Sequence, residues 1–304
     1  MKNKFVVFTV IVGGYDEVKQ PLVIDEHFDY VLFTDTSTET NIGVWQVRSI
    51  PYETTQNYKK ARFPRLQPEV VLPEYEASLY HDGNIQITSQ WVYDRFFELF
   101  NGDIEWAGIK HQWRNSAFEE MDWMIKAAWV HDYSVLPWYN YLVSQDYISH
   151  YNQKDLDFLF ETNIIFRRKS DIVKRVNDIW WWTVENYVRR DQFSIMYALW
   201  KVPGIKTGFF LPTNENAWNN NGSFICYSHN PHNRVLSWNV WETIRHRCFR
   251  VAYGDDASYT ILLDKVCKFK NPLLMMNLWT AYALFRYGYK VVIEMVKCRL
   301  PKKS

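Results

Sequence analysis

Residues 76–87, EASLYHDGNIQI, end a short apolar run in the turn Asp82-Gly83-Asn84. A carboxylate at the C-terminal end of a buried strand lies where open α/β sheets bind ligands. Beside a glycine that lets backbone approach a ligand closely, it suits a divalent cation or the hydroxyls of a sugar nucleotide. Asp-Gly and Gly-Asn are also common turn pairs, so a plain β-hairpin is the competing reading. Glu161 poses a second question, because it interrupts the apolar stretch 158–167, where an unpaired carboxylate is costly to bury. Arg62 and Arg65 stand three apart in the basic stretch 58–65, a spacing that puts both on one helix face, although a solvated basic face accounts for such residues equally well.

These side chains need a scaffold, and the apolar pattern describes one. Residues 5–12 read as a buried strand ending in Gly13-Gly14-Tyr15-Asp16, a turn able to admit a nucleotide. Strands follow at 30–34, ending at Asp35, and at 45–50; a helix begins near Tyr58, and the strand carrying Asp82 comes next. Helical periodicity covers 91–101 and 117–131, with strands at 104–110 and 158–167. Ser170 caps a helix running through Trp182, and 193–200 is a further apolar helix. Alternating strands and helices with aspartates at strand ends indicate an α/β sandwich.

Composition narrows the function. At 304 residues and 47% hydrophobic, the chain can bury a substantial core. A net charge of +1 argues against a general grip on nucleic acid. Cys226, Cys248, Cys267 and Cys298 lack CxxC spacing, which fits ordinary thiols of a reducing, cytoplasmic compartment. No nucleophile elbow, Walker loop, zinc-protease motif or full dinucleotide fingerprint occurs.

Several ordered stretches resemble one family. They are Tyr30-Val31-Leu32-Phe33-Thr34-Asp35, the run from Tyr58 to Arg65, Leu72-Pro73-Glu74-Tyr75 leading into Ser78 to Ile85, Glu161 to Arg167, Trp180-Trp181-Trp182 and Arg190-Asp191-Gln192-Phe193-Ser194. Over roughly residues 5 to 200 the chain resembles the hexosyltransferase-like family long catalogued as a domain of unknown function, with bacterial surface-polysaccharide and plant members. The resemblance implies a GT-A (Rossmann-like) α/β three-layer sandwich with a mixed central sheet, acting on a nucleoside diphosphate sugar as donor and a glycan or lipid-linked glycan as acceptor.

It also implies roles. Asp82 anchors Mn2+ or Mg2+ and the donor diphosphate, with Asn84 standing where many such enzymes have a second carboxylate, a departure that admits a weaker metal site or a metal-independent enzyme. Arg62 and Arg65 assist at the diphosphate, since a guanidinium grips phosphate oxygens in a planar fork. Tyr15, with Asp16, and Asp35 lie where the base and ribose bind. Asp191 and Gln192 face the transferred sugar, with Glu161 as a further sugar-contacting or base residue and capping as the alternative for Asp191. His229, ahead of His232 in a polar loop, is the candidate additional metal ligand. His81 faces away from Asp82, because neighbours in a strand point to opposite faces.

We expect a glycosyltransferase domain over 1–250 and an amphipathic helical extension over 251–304. Residues 272–296 are apolar and aromatic, broken by Asn277, Arg286, Lys290 and Glu294, and the chain ends in basic residues. Such a helix either packs on the main domain or lies on the inner face of an anionic membrane as a peripheral contact. Two rival readings are a catalytically inactive carbohydrate-binding protein of the same fold and a membrane-docked scaffold.

Overall fold

The structure is a computed structural model that describes residues 3–147, 158–229 and 240–297. The chain divides into two compact units, residues 1–117 with 157–233 and residues 118–156 with 234–304. The division expected at residue 250 falls inside a helix, Val240–Tyr253.

The strands are β1 (Phe5–Ile11), β2 (Phe28–Thr34), β3 (Asn41–Ile42), β4 (Trp45–Arg48), β5 (Ala77–His81), β6 (Ile85–Ile87), β7 (Trp106–Lys110), β8 (Phe160–Arg168), β9 (Thr207–Phe209) and β10 (Phe224–Cys226). The helices are α1 (Asn57–Leu66), α2 (Pro68–Val71), α3 (Trp91–Asn101), α4 (Ala117–Lys126), α5 (Asp132–Ser144), α6 (Asp171–Asn186), α7 (Ile195–Lys201), α8 (Val240–Tyr253), α9 (Thr260–Val266) and α10 (Pro272–Lys297).

In the first unit eight strands form one sheet in the order β3-β4-β2-β1-β5-β8-β7-β9. β1, β2, β4 and β5 run parallel, and β8 enters antiparallel to both β5 and β7. All seven residues of β1 are buried, as a strand covered on both faces requires. Phe5, Val7, Ala77 and Leu79 pack with Val92, Tyr93, Phe96 and Leu99 of α3 on one face. On the other, Arg65 of α1 lies over the Tyr80 ring and Trp180 of α6 meets Trp106. Helices on both faces make the mixed α/β sandwich that the sequence implied. Ser170 caps α6 as expected, its hydroxyl accepting from Val173 N–H at 3.3 Å.

In the second unit, α4 stops at Lys126 rather than running to residue 131. Ala128 adopts φ 56°, Trp129 N–H reaches Met124 C=O at 2.9 Å and Ala128 N–H reaches Ile125 C=O at 3.1 Å. This is a Schellman stop built without the glycine that would have announced it. Cys248, Ala283 and Val291, with Trp279 and Leu284 against them, form the core between α8 and α10. A buried polar hub joins α5 and α8: Arg245 donates to both Asp132 oxygens at 2.7 and 2.8 Å, and Tyr259 O–H donates to Asp132 at 2.8 Å. Among the described residues no helix is long and apolar enough to cross a membrane.

Candidate active site

β1, β2 and β5 are parallel neighbours, so their C-terminal ends share one rim. Gly13 and Gly14 follow β1 at φ 63° and 64°, a region open to glycine without strain. Gly13 N–H donates to Asp35 Oδ1 at 2.8 Å across the ends of β1 and β2, and Lys60 Nζ holds the other oxygen at 3.0 Å. Burial works to raise the Asp35 pKa, but these partners outweigh it and lower it. Asn57, at the start of α1, packs against Gly13 and lines an open cavity of about 460 Å³ with Gln56, Tyr58 and Arg189.

The Asp82-Gly83-Asn84 turn occupies the same rim. Asp82 N–H donates to Asn163 C=O at 2.9 Å, and Ile85 N–H closes the turn on Asp82 C=O at 3.0 Å. The hairpin reading fails, because β6 pairs antiparallel with β10 and not with β5. Gly83 is needed for space: a Cβ there would meet Ile11 Cγ1 at 2.7 Å and Asp16 Oδ2 at 3.4 Å. Asp82 is 29% exposed at its side chain, where Tyr80 O–H donates to Oδ1 at 2.6 Å and Arg65 Nη1 lies 3.4 Å away. His81 faces the opposite way, 5.6 Å from the Trp45 ring, in keeping with strand alternation.

Arg65 joins this turn to a buried carboxylate. Its Nη2 lies 2.9 Å from Asp191 Oδ2, and Arg62 Nε donates to Asp191 Oδ1 at 3.2 Å. Thr162 O–H also donates to Asp191, and Trp180 Nε1–H fixes the Asp191 carbonyl at 2.8 Å. Arg65 Nη2 donates to the Thr162 carbonyl as well. Burial alone would raise the Asp191 pKa; Arg65, Arg62 and Arg190 hold it down to about 2. Gln192 is buried beside it and accepts from Arg190 Nη2 at 2.8 Å.

A second group approaches Asp82 from the loop after β10. Asn84 Nδ2 donates to Tyr227 C=O at 2.7 Å, and Tyr227 N–H returns a bond to Asn84 C=O at 2.8 Å. This brace leads the chain to His229, whose Nδ1 lies 3.0 Å from Asp16 Oδ1 and whose ring is 5.1 Å from Tyr15. The Asp16 hydrogen bond raises the His229 pKa despite burial, and the Asp82 charge adds to the rise. Burial, then the charges of Asp82, Glu161 and Asp16, push the Cys226 thiol up to about 12. The charges of Asp82, Glu161 and Asp16 thus all act on the same thiol. Asn163 Nδ2 lies 3.4 Å from Glu161 Oε2, keeping that group on the same strand face. His232 lies outside the described residues.

The structure therefore gathers Arg62, Arg65, Asp82 and Asp191 into one charged network, and Tyr15 and His229 into another beside it. Asp35 stands at the neighbouring strand end with Lys60. Sequence reasoning missed Tyr80, which strand alternation places on the Asp82 face two residues earlier, and Thr162, Asn163 and Cys226, whose part follows only from the antiparallel entry of β8 and the pairing of β10.

The acidic region offers carboxylate oxygens from Asp82 and Asp16, the donors a hard divalent cation takes, with His229 held beside them through Asp16. Among the described residues, only Asp132, Glu242 and His246 bring three such ligand atoms within 4.8 Å of one another. There the Arg245 guanidinium already neutralises Asp132. At the rim, any cation needs ligands beyond the protein, as Mg2+ does when it binds phosphate oxygens through one or two carboxylates.

Two exposed tryptophans stand at the same sheet edge. β7 and β5 are both antiparallel to β8 and so run together; Trp113 follows β7 and Trp218 follows β9, at 67% and 59% exposure. Gln112 Nε2 ties their loops by donating to the Thr213 and Glu215 carbonyls at 3.2 and 2.9 Å.

No curated protein sequence matches the chain. Among solved structures it is similar to the apo WbbM bifunctional glycosyltransferase (11% identity, TM-score 0.37), covering 66% of this chain and only 38% of that one. It is similar to the galactosyltransferase LgtC in complex with donor and acceptor sugar analogues (11% identity, TM-score 0.38, 67% of this chain and 73% of that one). A third is the mannosyltransferase PcManGT from Pyrobaculum calidifontis in complex with GDP-Man and Mn2+ (9% identity, TM-score 0.40, 98% of this chain and 79% of that one). The family model described as TOD1/MUCI70, glycosyltransferase-like domain, matches residues 1–217.

Proposed function

The chain belongs to the TOD1/MUCI70 glycosyltransferase-like family, and from that premise we propose that it is a GT-A-type hexosyltransferase. It moves a hexosyl unit from a nucleoside diphosphate sugar to a glycan or lipid-linked glycan of a bacterial surface polysaccharide. The observation that carries this reading is the position of Asp82: on the rim shared by β1, β2 and β5, partly open, and tied to Arg65 and through it to Asp191. Asp82, with Asp16 and His229 beside it, would hold Mn2+ or Mg2+. Such a cation supplies neutralisation of the diphosphate charge that grows as the glycosidic bond breaks.

The protein's own groups do the remaining work. The cavity at Asn57 and Tyr58, of a size common for small-molecule sites, takes the nucleoside near Asp35. Both Asp191 oxygens are held by arginines, so Asp191 serves the transferred sugar by fixing Arg62 and Arg65, Gln192 holds Arg190 in the same way, and Glu161 offers a polar group toward the sugar. Arg65 is too enclosed to leave Asp191 and grip phosphate alone. It acts by orienting Asp82.

The test is incubation of the full chain with a panel of nucleoside diphosphate sugars and Mn2+. Donor hydrolysis or transfer, abolished in Asp82→Ala at unchanged folding, supports the reading; inactivity and absence of thermal stabilisation across the panel overturn it. The exposed pair Trp113 and Trp218 favours one second reading, a glycan-binding protein of the same fold without transfer. That protein would bind glycans in the absence of nucleotide and in the presence of chelator.

A further inference from the structure

We propose that the outward face of α10 docks the protein on an anionic lipid bilayer. Leu274, Leu278, Tyr282, Phe285, Tyr289 and Val292 recur at intervals of three and four residues and are all exposed, Phe285 at 92%. At 1.5 Å per residue they make a stripe roughly 27 Å long. The inward face is already used: Met276, Thr280, Ala283 and Val291 are buried. An apolar band of this length left in water is uncommon on a soluble surface and marks a contact with something else.

Charge decides what that something is. Arg286 and Lys290 are exposed along one flank of the stripe, and Lys265, Lys268 and Lys270 are exposed just before the helix. From residue 265 to residue 293 the chain has no Asp or Glu. A second copy paired through this stripe would bring five cations on each side against acids only at the two ends, Asp264 and Glu294, unlike helix pairs, whose flanking positions carry complementary acids and bases throughout. A bilayer with anionic headgroups accepts both parts at once: rings and aliphatic groups enter the headgroup boundary while the cations meet phosphate. The helix lies along the surface, since no described helix is suited to cross it.

The test is co-sedimentation of the full chain with vesicles of phosphatidylcholine alone and with one-third phosphatidylglycerol. Binding to the anionic vesicles, at least tenfold weaker to the zwitterionic ones and falling with salt, supports the proposal. Arg286→Gln with Lys290→Gln lowers partitioning about fivefold per cation removed, and Phe285→Ser with Tyr289→Ser removes it, with circular dichroism showing unchanged helix. Asp82→Ala binds vesicles like the parent, which separates this proposal from the enzymatic one. No binding to anionic vesicles by folded protein overturns it, as does a concentration-dependent dimer that the Phe285 variant dissolves.

Discussion

Arg65 Nη2 and Asp191 Oδ2 lie 2.9 Å apart in the interior, and the other terminal nitrogen of the same guanidinium lies 3.4 Å from Asp82. One cation therefore couples a fully enclosed carboxylate to a partly open one at the rim. Each behaves differently when altered.

Asp191→Asn leaves Arg62 and Arg65 without their buried counter-charge. Breaking such a pair by removing one partner costs about 3–5 kcal/mol, so urea unfolding should show a loss of that size. A loss below about 1 kcal/mol would mean that water reaches the arginines and that Asp191 is no anchor.

Acid should expose the same coupling. Asp191 titrates near 2 in the folded state against an ordinary value of 3.8. Its lowered pKa contributes stability that is present above pH 4 and lost as pH falls toward 2, about 2 kcal/mol in all. Unfolding free energy measured across that window should slope less in Asp191→Asn than in the parent; parallel curves would exclude Asp191 as the source.

His229 shifts in the other direction, its pKa raised first by Asp16. Its contribution to stability is complete below 6.5 and disappears as pH rises through the folded value. NMR titration should place the His229 midpoint above 6.5 and lower it in Asp16→Asn. Should both proteins titrate alike, the 3.0 Å contact is not formed in solution.

Gly83→Ala tests the close approach of the turn to β1. Its Cβ would overlap Ile11 Cγ1, and overpacking of this kind costs about 1–3 kcal/mol. Ile11→Ala is destabilising alone, yet it should recover part of the Gly83→Ala loss in a double-mutant cycle. Strict additivity would place the strain elsewhere.

Asp82→Ala removes one acceptor of Tyr80 and one neighbour of Arg65 while Arg65 keeps Asp191. The unfolding midpoint should fall only slightly, by about 1 kcal/mol in free energy, and the thermal shift given by Mn2+ with nucleoside diphosphate should vanish. A retained shift would move the cation away from this turn.

Much of the first unit was legible because its strands carry buried apolar runs: β1 is apolar but for Thr9, β2 and β8 hold the runs Tyr30 to Phe33 and Ile164 to Phe166, and Ser170 announces α6. The second unit was not. Pro137 sits inside α5 and hid it from periodicity, and α4 ends on an alanine in the left-handed region. In α8, buried Glu242, Arg245 and His246 look like surface residues until their partners on α5 are known. At the site, Asp82, Asp35 and Asp191 could be found by type and location, but the pairing of Arg62 with Asp191 spans 129 residues and has no local signature. The hairpin alternative at Asp82 survived until strand pairing was known, since turn statistics are blind to which sheet β6 joins.

β8 runs against its neighbours, so its opening residues, and not its closing ones, reach the edge that carries Asp82. The mould that shapes the Asp82 turn is thus cast by chain made some eighty residues later, through the Asn163 carbonyl and the Thr162 lining of Asp191. A nascent or proteolysed piece ending before residue 158 carries the aspartate with no seat for it. The turn finds its seat only when the late half of the unit closes on the early half.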